Sequence, residues 1–382
     1  MSSGALDKLR FDQVGSLLRP AWLVDVFARH GRGEASDEEL RQAEDRAIRE
    51  VIAKQQAHNL PVVTDGEYRR LNFQDSFAAS VTGFATERDT LQLHEQRAAG
   101  GKPLRRWDPG YSGRGPAVLT RRPAVGRIRL VRNQPLEEYL FSRTVAAKPV
   151  KVTLIGPDRI IQRFEYESSR AVYPDLEQFV SDVVAIERRI VGGLVEVGCR
   201  YVHIDAPSYT AYVDAPSLEE MRSRGEDPAA NMDRSIQADN AIIAGFPGVT
   251  FGIHLCRGNQ RSMWHREGAY DAIAERLFNG LRHRRLLLEY DTERAGSFEP
   301  LRFVPRDEVV VLGLVSTKVP EVETADELKR RIEAASKYLP IEQLAVSPQC
   351  GFASDILGNL LSEEDQWRKL DVLQEVAADV WG

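Results

Sequence analysis

The amino-acid sequence predicts an α/β protein, a (β/α)8 TIM barrel with an inserted hairpin or lid segment after the second strand. Short apolar runs alternate with amphipathic stretches along most of the chain, as in parallel strands joined by helices. The length of 382 residues suits one barrel with insertions. Polar residues, glycines and metal-binding residue types follow the apolar runs, and such positions share one end of a barrel.

Eight apolar runs are expected to form the strands. A doubly wound open sheet is the alternative, but the first turn lacks the glycine-rich phosphate-binding sequence that such folds often carry. In chain order the runs are Phe11 to Gly15, Val62 to Thr64, Val150 to Ile155, Tyr201 to Ile204, Val249 to His254, Leu286 to Glu289, Val309 to Gly313 and Leu344 to Val346.

Helical patterns lie between the runs, and two of them begin with capping-box sequences, Ser36 to Glu39 and Thr324 to Glu327. Residues 82–145 interrupt this alternation with several glycines and prolines and then an alternating segment, Gly126 to Leu130. We expect one catalytic domain over residues 1–382, with residues 82–145 inserted as a hairpin or lid, because long insertions in compact domains are usually functional or flexible.

The charge of the chain is balanced. It has 51 basic and 57 acidic residues, a formal net charge of −6, and the two signs are interspersed. This distribution predicts neither nucleic-acid nor anionic-lipid binding. The sequence lacks an N-terminal apolar signal region and a run long enough to cross a bilayer, so a soluble, cytoplasmic protein is expected. Three cysteines do not make a disulfide framework, and no particular oligomeric state is predicted.

Four residues in the second half of the chain are candidate metal ligands. His254 and Cys256 end one apolar run and lie two residues apart, so strand periodicity puts both on the same face. Glu289 and Cys350 also follow apolar runs. Nitrogen, sulfur and oxygen ligands together favour Zn2+. Each cysteine alone is more simply a small buried hydrophobe. Cys199, which precedes a run, is read in that way.

Other polar residues at the same predicted end are candidates for substrate binding. Ser16, Glu67, Asp205 and Lys318 each follow a different apolar run. Glu67 could instead begin a helix, where an acidic residue complements the helix dipole. Lys318 could be a solvated loop charge. His203, two residues before Asp205, is read as a hydrogen-bonded histidine inside the barrel and not as a ligand.

The ligand set points to thiol chemistry. Two thiolates and a carboxylate make zinc electron-rich, which suits a substrate thiolate that stays nucleophilic and attacks a methyl or alkyl donor. A zinc hydrolase is the alternative, although hydrolases usually have more histidine ligands and a coordinated water. A non-catalytic protein with a structural zinc remains a third reading, because four protein ligands can close such a site.

The chain also resembles the catalytic C-terminal barrel of cobalamin-independent methionine synthase, and more closely the short single-barrel members of that family. The motifs that carry the resemblance are Val14-Gly15-Ser16, Asp65-Gly66-Glu67, Leu154-Ile155-Gly156-Pro157, His203-Ile204-Asp205-Ala206-Pro207, His254-Leu255-Cys256, Glu289, Lys318-Val319-Pro320 and Pro348-Gln349-Cys350-Gly351.

This resemblance implies a (β/α)8 barrel with zinc held by His254, Cys256, Glu289 and Cys350. It also implies an amino-acid thiol substrate, homocysteine or a similar compound, that contacts Ser16, Glu67 and Asp205. Glu67 and Asp205 would be the catalytic carboxylates and would receive the ammonium group of this substrate. The methyl donor would be a 5-methyltetrahydrofolate, often polyglutamylated. The expected function is therefore a zinc-dependent S-methyltransferase that makes methionine or a related thioether.

The sequence departs from the large two-barrel members of the family. Their N-terminal half, which helps to bind folate, has no counterpart here. They have Asp-Glu-Pro where this chain has Asp205-Ala206-Pro207, and their proton-donating histidine aligns with Val315. These differences leave the alkyl donor and the thiol acceptor open, so an epoxide-opening thiol transferase of the coenzyme M type is the alternative with the same zinc chemistry.

Overall fold

The computed structural model describes residues 3–85 and 123–382. Eight strands form within these residues. They are β1 (Val81–Phe84), β2 (Ala124–Leu130), β3 (Lys151–Ile155), β4 (Tyr201–Asp205), β5 (Thr250–Leu255), β6 (Arg285–Glu289), β7 (Val309–Val315) and β8 (Leu344–Pro348).

Six of these strands, β3 to β8, form one parallel sheet in sequence order. Nearly every residue in them is buried, as expected for parallel strands that are covered on both faces. The register pairs Asp205 with His254 and Glu289 with Gly313. The parallel α/β prediction is confirmed, and the carboxyl ends of these strands lie together.

The first two predicted strands are wrong as extended strands. Each contributes a single parallel bridge, Phe11 to Val346 of β8 and Val63 to Val150 just before β3. These bridges place residues near Phe11 at one edge of the sheet and residues near Val63 at the other. Among the described residues, no ladder bridge joins these two edge segments, although one backbone hydrogen bond links their carboxyl ends, from the Leu17 N–H to the Gly66 carbonyl at 3.2 Å.

Side-chain amides occupy the seam between the two edge segments. Gln55 accepts a hydrogen bond from the N–H of Thr64 at 2.9 Å and donates to its carbonyl at 2.7 Å. Gln13 donates to the Val62 carbonyl at 3.2 Å and to Gln55 at 2.8 Å. Backbone groups that a regular ladder would pair are therefore satisfied by side chains, which explains why these runs do not extend as strands.

Helices alternate with the strands of the main sheet. Ser36 and Thr324 cap their helices as predicted, each accepting a hydrogen bond from the backbone N–H three residues later. None of the described helices has both the length and the apolar character of a bilayer span. The α-helices are Ser3–Leu6, Ala21–Gly31, Asp37–Ala57, Asp75–Ala78, Gln134–Val145, Pro157–Gln162, Leu176–Glu196, Ala215–Ser223, Pro228–Ile243, Ala274–Gly280, Ala325–Ser336 and Glu363–Trp381.

A short antiparallel pair lies almost entirely within the range predicted for the insertion, residues 82–145. β1 pairs with β2, with Val81 opposite Leu130 and Phe84 opposite Ala124. The helix Gln134–Val145, which lies within the range predicted for the insertion, contacts β3 and the helix Leu176–Glu196. Residues 86–122, where most of the lid was predicted, lie outside the described residues. The extent of the insertion and its role as a lid stay predictions.

A buried ionic network lies at the amino-terminal ends of β3, β4 and β6. Asp12 binds Lys151 at 2.8 Å, accepts a hydrogen bond from the Tyr201 hydroxyl at 2.5 Å, and accepts another from the Arg285 guanidinium at 3.1 Å. These four residues are each at most 1% exposed. Lys151, Tyr201 and Arg285 are the first residues of β3, β4 and β6, and all three bind the Asp12 carboxylate. The network therefore holds the first edge segment against the sheet.

Candidate metal centre and substrate cavity

Three predicted ligands form a buried cluster at the carboxyl ends of the strands. His254 lies in β5 and Cys256 directly follows it, while Cys350 is the second residue after β8. One candidate ligand atom from each of the three residues lies within 4.8 Å of the other two. The two sulfur atoms are 4.0 Å apart. Residues from strands three places apart in the sheet therefore meet at one point.

The cluster fits a zinc ion. Within residues 3–85 and 123–382, the ring nitrogens of His254 find no partner outside the cluster, although the residue is only 2% exposed, and both cysteines are free thiols. Buried polar atoms without partners are costly unless they bind something. The hydrogen bond from Cys350 lowers the pKa of Cys256 well below its usual value, and His254 adds to this effect, although burial opposes it. An imidazole and two thiols with one thiolate favoured are ligands that suit zinc.

Glu289, the fourth predicted ligand, lies beside the cluster but is not part of it. Its carboxylate accepts hydrogen bonds from the backbone N–H of Arg257 at 2.6 Å and from the Arg294 guanidinium at 3.0 Å. Gln349 donates a longer one at 3.3 Å. Burial alone would raise the pKa of Glu289, but Lys318, Arg257 and Arg294 lower it to about 2. Glu289 is thus a buried anion near the sulfur atoms, and its role as a ligand stays a prediction.

The cluster lines a cavity whose empty space, including the part open to solvent, is about 630 Å³. Six of the predicted site residues line the cavity, whereas Glu289 and Lys318 do not. The six are Ser16, Glu67, Asp205, His254, Cys256 and Cys350.

Glu67 lies in a turn with φ +62°, so it does not begin a helix. Such a backbone is unfavourable for a residue with a side chain, and it is usually kept where the site needs it. Its Oε1 accepts a hydrogen bond from the Thr153 hydroxyl at 2.7 Å, and Oε2 is buried without a hydrogen-bond partner. Burial raises the pKa of Glu67, Arg70 opposes the rise, and the Asp205 carboxyl adds to it. One oxygen is anchored, and the other is left for a ligand.

Asp205 ends β4 and faces the same cavity. The His203 ring nitrogen is 3.3 Å from its Oδ1, and both residues are buried, so the reading of His203 as a hydrogen-bonded buried histidine is confirmed. Burial raises the pKa of Asp205 to about 6. Two carboxyl groups, from Glu67 and Asp205, therefore share one enclosed space.

The glycine after Cys350 allows the cavity wall to close. A Cβ atom at Gly351 would lie 2.0 Å from the Ser16 hydroxyl oxygen. The segment after β8 can therefore approach the segment near Ser16 only with glycine at this position. Ser16 is buried, and its hydroxyl accepts a hydrogen bond from the Ala353 N–H at 3.4 Å.

Lys318 and Cys199 are both buried. The ammonium nitrogen of Lys318 has no hydrogen-bond partner among the described residues, and the side chain is only 2% exposed. Its charge acts on Glu289 and Asp291, so the solvated-loop reading of Lys318 is wrong. Cys199 lies in the hydrophobic core, and burial raises the pKa of its thiol to about 12, which agrees with its reading as core filling.

The cavity also has lining residues that the sequence did not predict, among them Arg159, Asn259, His265 and Arg266. Arg159 follows the third strand by four residues, so its position after a strand was a usable signal. His265 and Arg266 belong to a long loop after β5, and no pattern in the sequence indicates where that loop folds.

Comparison with known proteins identifies relatives over almost the whole chain. The Bacillus subtilis proteins YxjG and YxjH, both uncharacterized, are 36% and 34% identical over 97% of this chain and 94% of their own length. A methionine synthase of Pyrococcus abyssi is 26% identical over 88% of this chain and 84% of that protein. The family model for the catalytic domain of cobalamin-independent synthase matches residues 285–361.

Solved structures agree with these sequence matches. A Listeria monocytogenes protein assigned as a vitamin-B12-independent methionine synthase has a TM-score of 0.72, 26% identity and 97% coverage of both chains. A B12-independent methionine synthase from Shewanella, solved with selenomethionine, has a TM-score of 0.70 at 20% identity and supports the fold alone. The chain therefore belongs to the catalytic-domain family of the cobalamin-independent methionine synthases, among its short single-domain members.

Proposed function

We propose that the protein is a zinc-dependent S-methyltransferase that methylates a homocysteine-like thiol from a donor of the 5-methyltetrahydrofolate type. The observation that carries this proposal is the buried cluster of His254, Cys256 and Cys350 at the wall of a cavity that also contains the carboxyl groups of Glu67 and Asp205. A soft-metal donor set and an ammonium-binding pair in one space suit an amino-acid thiol.

His254, Cys256 and Cys350 would hold the zinc, with Glu289 as the proposed fourth ligand. When bound, zinc lowers the pKa of a substrate thiol and so supplies a nucleophile at neutral pH. Glu289 is already ionised by its cationic neighbours, so it needs no proton loss to act as a ligand. Lys318 lies outside the cavity lining, and we propose that it acts on substrate through Glu289 as a counter-charge.

Glu67 and Asp205 would bind the ammonium group of the thiol substrate. Two buried carboxyl groups in one cavity repel each other when both are ionised, and a cation between them removes that penalty. The unpartnered Oε2 of Glu67 supplies an acceptor directed at such a group. Ser16, whose hydroxyl lines the same wall, is proposed as the third substrate contact.

We also infer that the sheet closes as a (β/α)8 barrel. The edge segments near Phe11 and Val63 flank β8 and β3, and hydrogen bonds connect them. Gln13 donates to the carbonyl of Val62, and the Thr64 hydroxyl donates to the carbonyl of Gly15 at 2.7 Å. Closure would explain why residues at the carboxyl ends of both edge segments and of β3, β4, β5 and β8 line one cavity.

X-ray absorption at the zinc edge tests the thiol chemistry. The spectrum of the zinc-loaded protein is compared before and after addition of homocysteine, with homoserine, which has a hydroxyl in place of the thiol, as the matched control. One additional sulfur neighbour with homocysteine alone supports thiol activation. If homocysteine adds no sulfur neighbour, the zinc is structural or activates water, and the proposal is contradicted. An oxygen neighbour alone does not decide the matter, because Glu289 would supply one.

The identity of the donor is tested by activity. Purified zinc-loaded protein is assayed with homocysteine against a panel of methylated folates and short epoxides. Formation of methionine from a methylated folate supports the proposed reaction. Thioether formation from epoxides alone would instead support the epoxide-opening alternative, because the zinc chemistry of the two reactions is the same.

A further inference from the structure

Arginine side chains form part of the cavity wall beside the ligand cluster. Arg159 and Arg266 both line the cavity that contains His254, Cys256 and Cys350. Arg159 lies in the helix Pro157–Gln162, directly after β3, and is 7% exposed. Arg266 lies in the loop that follows β5. Neither residue belongs to the ligand set or to the carboxyl pair described above.

Like charges surround Arg159. Burial lowers its pKa well below the usual value, and the charges of Arg163 and Arg266 lower it more than Asp158 raises it. Burial, and after it the charges of Arg159, Arg266 and Lys318, lower the pKa of the neighbouring His265 well below its usual value. Guanidinium groups stay protonated, so Arg159 and Arg266 place two positive charges at this wall of the cavity.

Arg266 is held in place by neutral partners. Its guanidinium donates to the Pro207 carbonyl at 3.0 Å and to the Gln162 side chain at 3.3 Å. Asp158 and Asp214 are its nearby carboxylates, but no carboxylate within residues 3–85 and 123–382 forms an ion pair with it. Asp214 instead accepts hydrogen bonds from the N–H groups of Ser217 and Glu267. Two neutral acceptors therefore hold the Arg266 guanidinium at the cavity wall.

We propose that Arg159 and Arg266 form a subsite for an oxyanion of a substrate, a carboxylate, sulfonate or phosphate group. A guanidinium presents a planar fork of N–H donors that matches such groups. An oxyanion between the two side chains would offset their mutual repulsion. The subsite deepens the proposed function, since it defines a charged group that one of the two substrates carries.

The subsite is close to the reacting centre. The charge of Cys256 acts on both Arg159 and Arg266. Arg159, Arg266 and Cys256 line the same cavity, so one substrate can contact the zinc ligands and this subsite together. The oxyanion belongs either to the thiol or to the alkyl donor, and binding measurements separate these two sources.

Thermal unfolding of the zinc-loaded protein measures oxyanion binding. Sulfate and phosphate are compared with chloride at equal ionic strength. We expect both oxyanions to raise the unfolding midpoint of the wild type, and Arg159→Gln and Arg266→Gln to lose the increase. Arg159→Lys, which keeps the positive charge but lacks the paired N–H donors of a guanidinium, should retain part of the increase in the unfolding midpoint. The control is Arg276→Gln, because Arg276 is exposed and paired with Asp233. No increase in the wild type, or an equal increase in the glutamine variants, overturns the proposal.

Calorimetry with two small thiols locates the oxyanion on one substrate. If the thiol carries it, zinc-loaded wild type binds 2-mercaptoethanesulfonate at least about tenfold more tightly than 2-mercaptoethanol, and Arg159→Gln removes the difference. If the donor carries it, the two thiols bind equally, and 5-methyltetrahydrofolate competes with sulfate. Equal binding of the thiols without such competition contradicts the subsite.

The experiments can reject the anion subsite and the proposed thiol reaction independently of each other. Arginine-dependent sulfate binding without a new sulfur neighbour at the zinc edge retains the subsite and rejects the thiol reaction. A new sulfur neighbour without arginine-dependent sulfate binding retains the thiol reaction and rejects the subsite.

Discussion

At the scale of single residues, the site depends on side chains that are held by one partner and left open toward another. Glu67 has a left-handed backbone, one oxygen bound by Thr153 and one oxygen free of partners. Arg70 donates to the Thr153 hydroxyl at 2.9 Å and pairs with Glu138 at 2.6 Å. A buried chain of hydrogen bonds and an ion pair, from Thr153 to Arg70 to Glu138, thus fixes the orientation of the Glu67 carboxylate.

Cys350→Ala should remove zinc and activity together. Loss of a residue that only hydrogen-bonds a metal ligand typically lowers metal affinity ~10–100-fold. Loss of the ligand itself should lower zinc affinity by more. Metal content after dialysis is the measurement. Cys199→Ala is the matched control, because Cys199 is equally buried but lies in the core, and this variant should keep its zinc. Full activity in a zinc-free Cys350→Ala protein would contradict the proposed site.

Thr153→Val should weaken binding of amino-acid thiols and leave zinc in place. Loss of one hydrogen bond to a carboxylate costs about 1.5 kcal/mol, which corresponds to an increase in KM of about tenfold. Steady-state kinetics with homocysteine and with a thiol that lacks an amino group give the measurement, and only the first should change. The control is Thr144→Val, since Thr144 is exposed and its hydroxyl bonds only locally. An equal change for both thiols would show that Thr153 does not act through Glu67.

At the scale of elements, polar side chains strengthen contacts between segments that few backbone hydrogen bonds join. The Asp12 network ties the first edge segment to the amino ends of three strands. Burial alone would raise the pKa of Asp12, but the charges of Lys151 and Arg285 and the hydrogen bonds from Lys151 and Tyr201 lower it below the usual value. Lys151 and Arg285 are fully buried, so each depends on this one carboxylate for charge compensation.

Asp12→Asn should lower the free energy of unfolding by about 3–5 kcal/mol, because it leaves buried cations uncompensated. The pKa of Asp12 is lower in the folded than in the unfolded state, so its contribution is complete above the unfolded pKa of about 4. That contribution is lost as the pH falls through the lowered folded pKa. Urea unfolding from pH 7 to pH 3 should show a steeper decline in the wild type than in Asp12→Asn. Parallel curves would contradict this assignment.

Strand-end positions were predictable from the sequence, whereas the directions of several side chains were not. His254 and Cys256 could be paired because a strand repeats every two residues, and Cys350 because it follows another apolar run. Glu289 is at the predicted position, but Arg294 and Arg257 hold its carboxylate. No local pattern encodes which long-range arginine a carboxylate will bind.

The edge segments show the same limit. Phe11 to Gly15 and Val62 to Thr64 are apolar enough to be read as strands, yet amides from Gln13 and Gln55 pair with their backbone. Gln55 lies in the helix Asp37–Ala57 and reaches the seam only in the folded protein. Arg159 and Arg266 were missed for a related reason, since loop and short-helix conformations set where they converge.

At the scale of the whole molecule, the ligand cluster connects distant parts of the chain. Cys256 and Cys350 are 94 residues apart and follow β5 and β8, with β6 and β7 between these strands in the sheet. A metal held by both would restrain this half of the sheet. Its binding free energy would then contribute to the stability of the entire fold.

Zinc removal should therefore lower the thermal unfolding midpoint of the wild type. A ligand at about 1,000 times its dissociation constant adds about 4 kcal/mol, which corresponds to a shift of several degrees or more in a chain of this size. Scanning calorimetry with and without a chelator measures the shift. Cys350→Ala should show no such difference, while Cys199→Ala should show the full one. An identical midpoint for loaded and chelated wild type would mean that the cluster holds no metal.

The side-chain amides between the two edge segments also affect how fast backbone N–H groups there exchange their hydrogen with solvent. Deuterium enters a backbone last where neighbouring strands protect one another, as at Ile253 in the middle of the sheet. The N–H of Thr64 relies on the Gln55 side chain, so it should acquire the isotope sooner than Ile253 when followed by mass spectrometry. Equal protection at both places would refute this view. The Thr64 hydroxyl also donates to the carbonyl of Gly15, and the next residue, Ser16, lines the cavity. A transient separation of the two edge segments would therefore move part of the cavity wall.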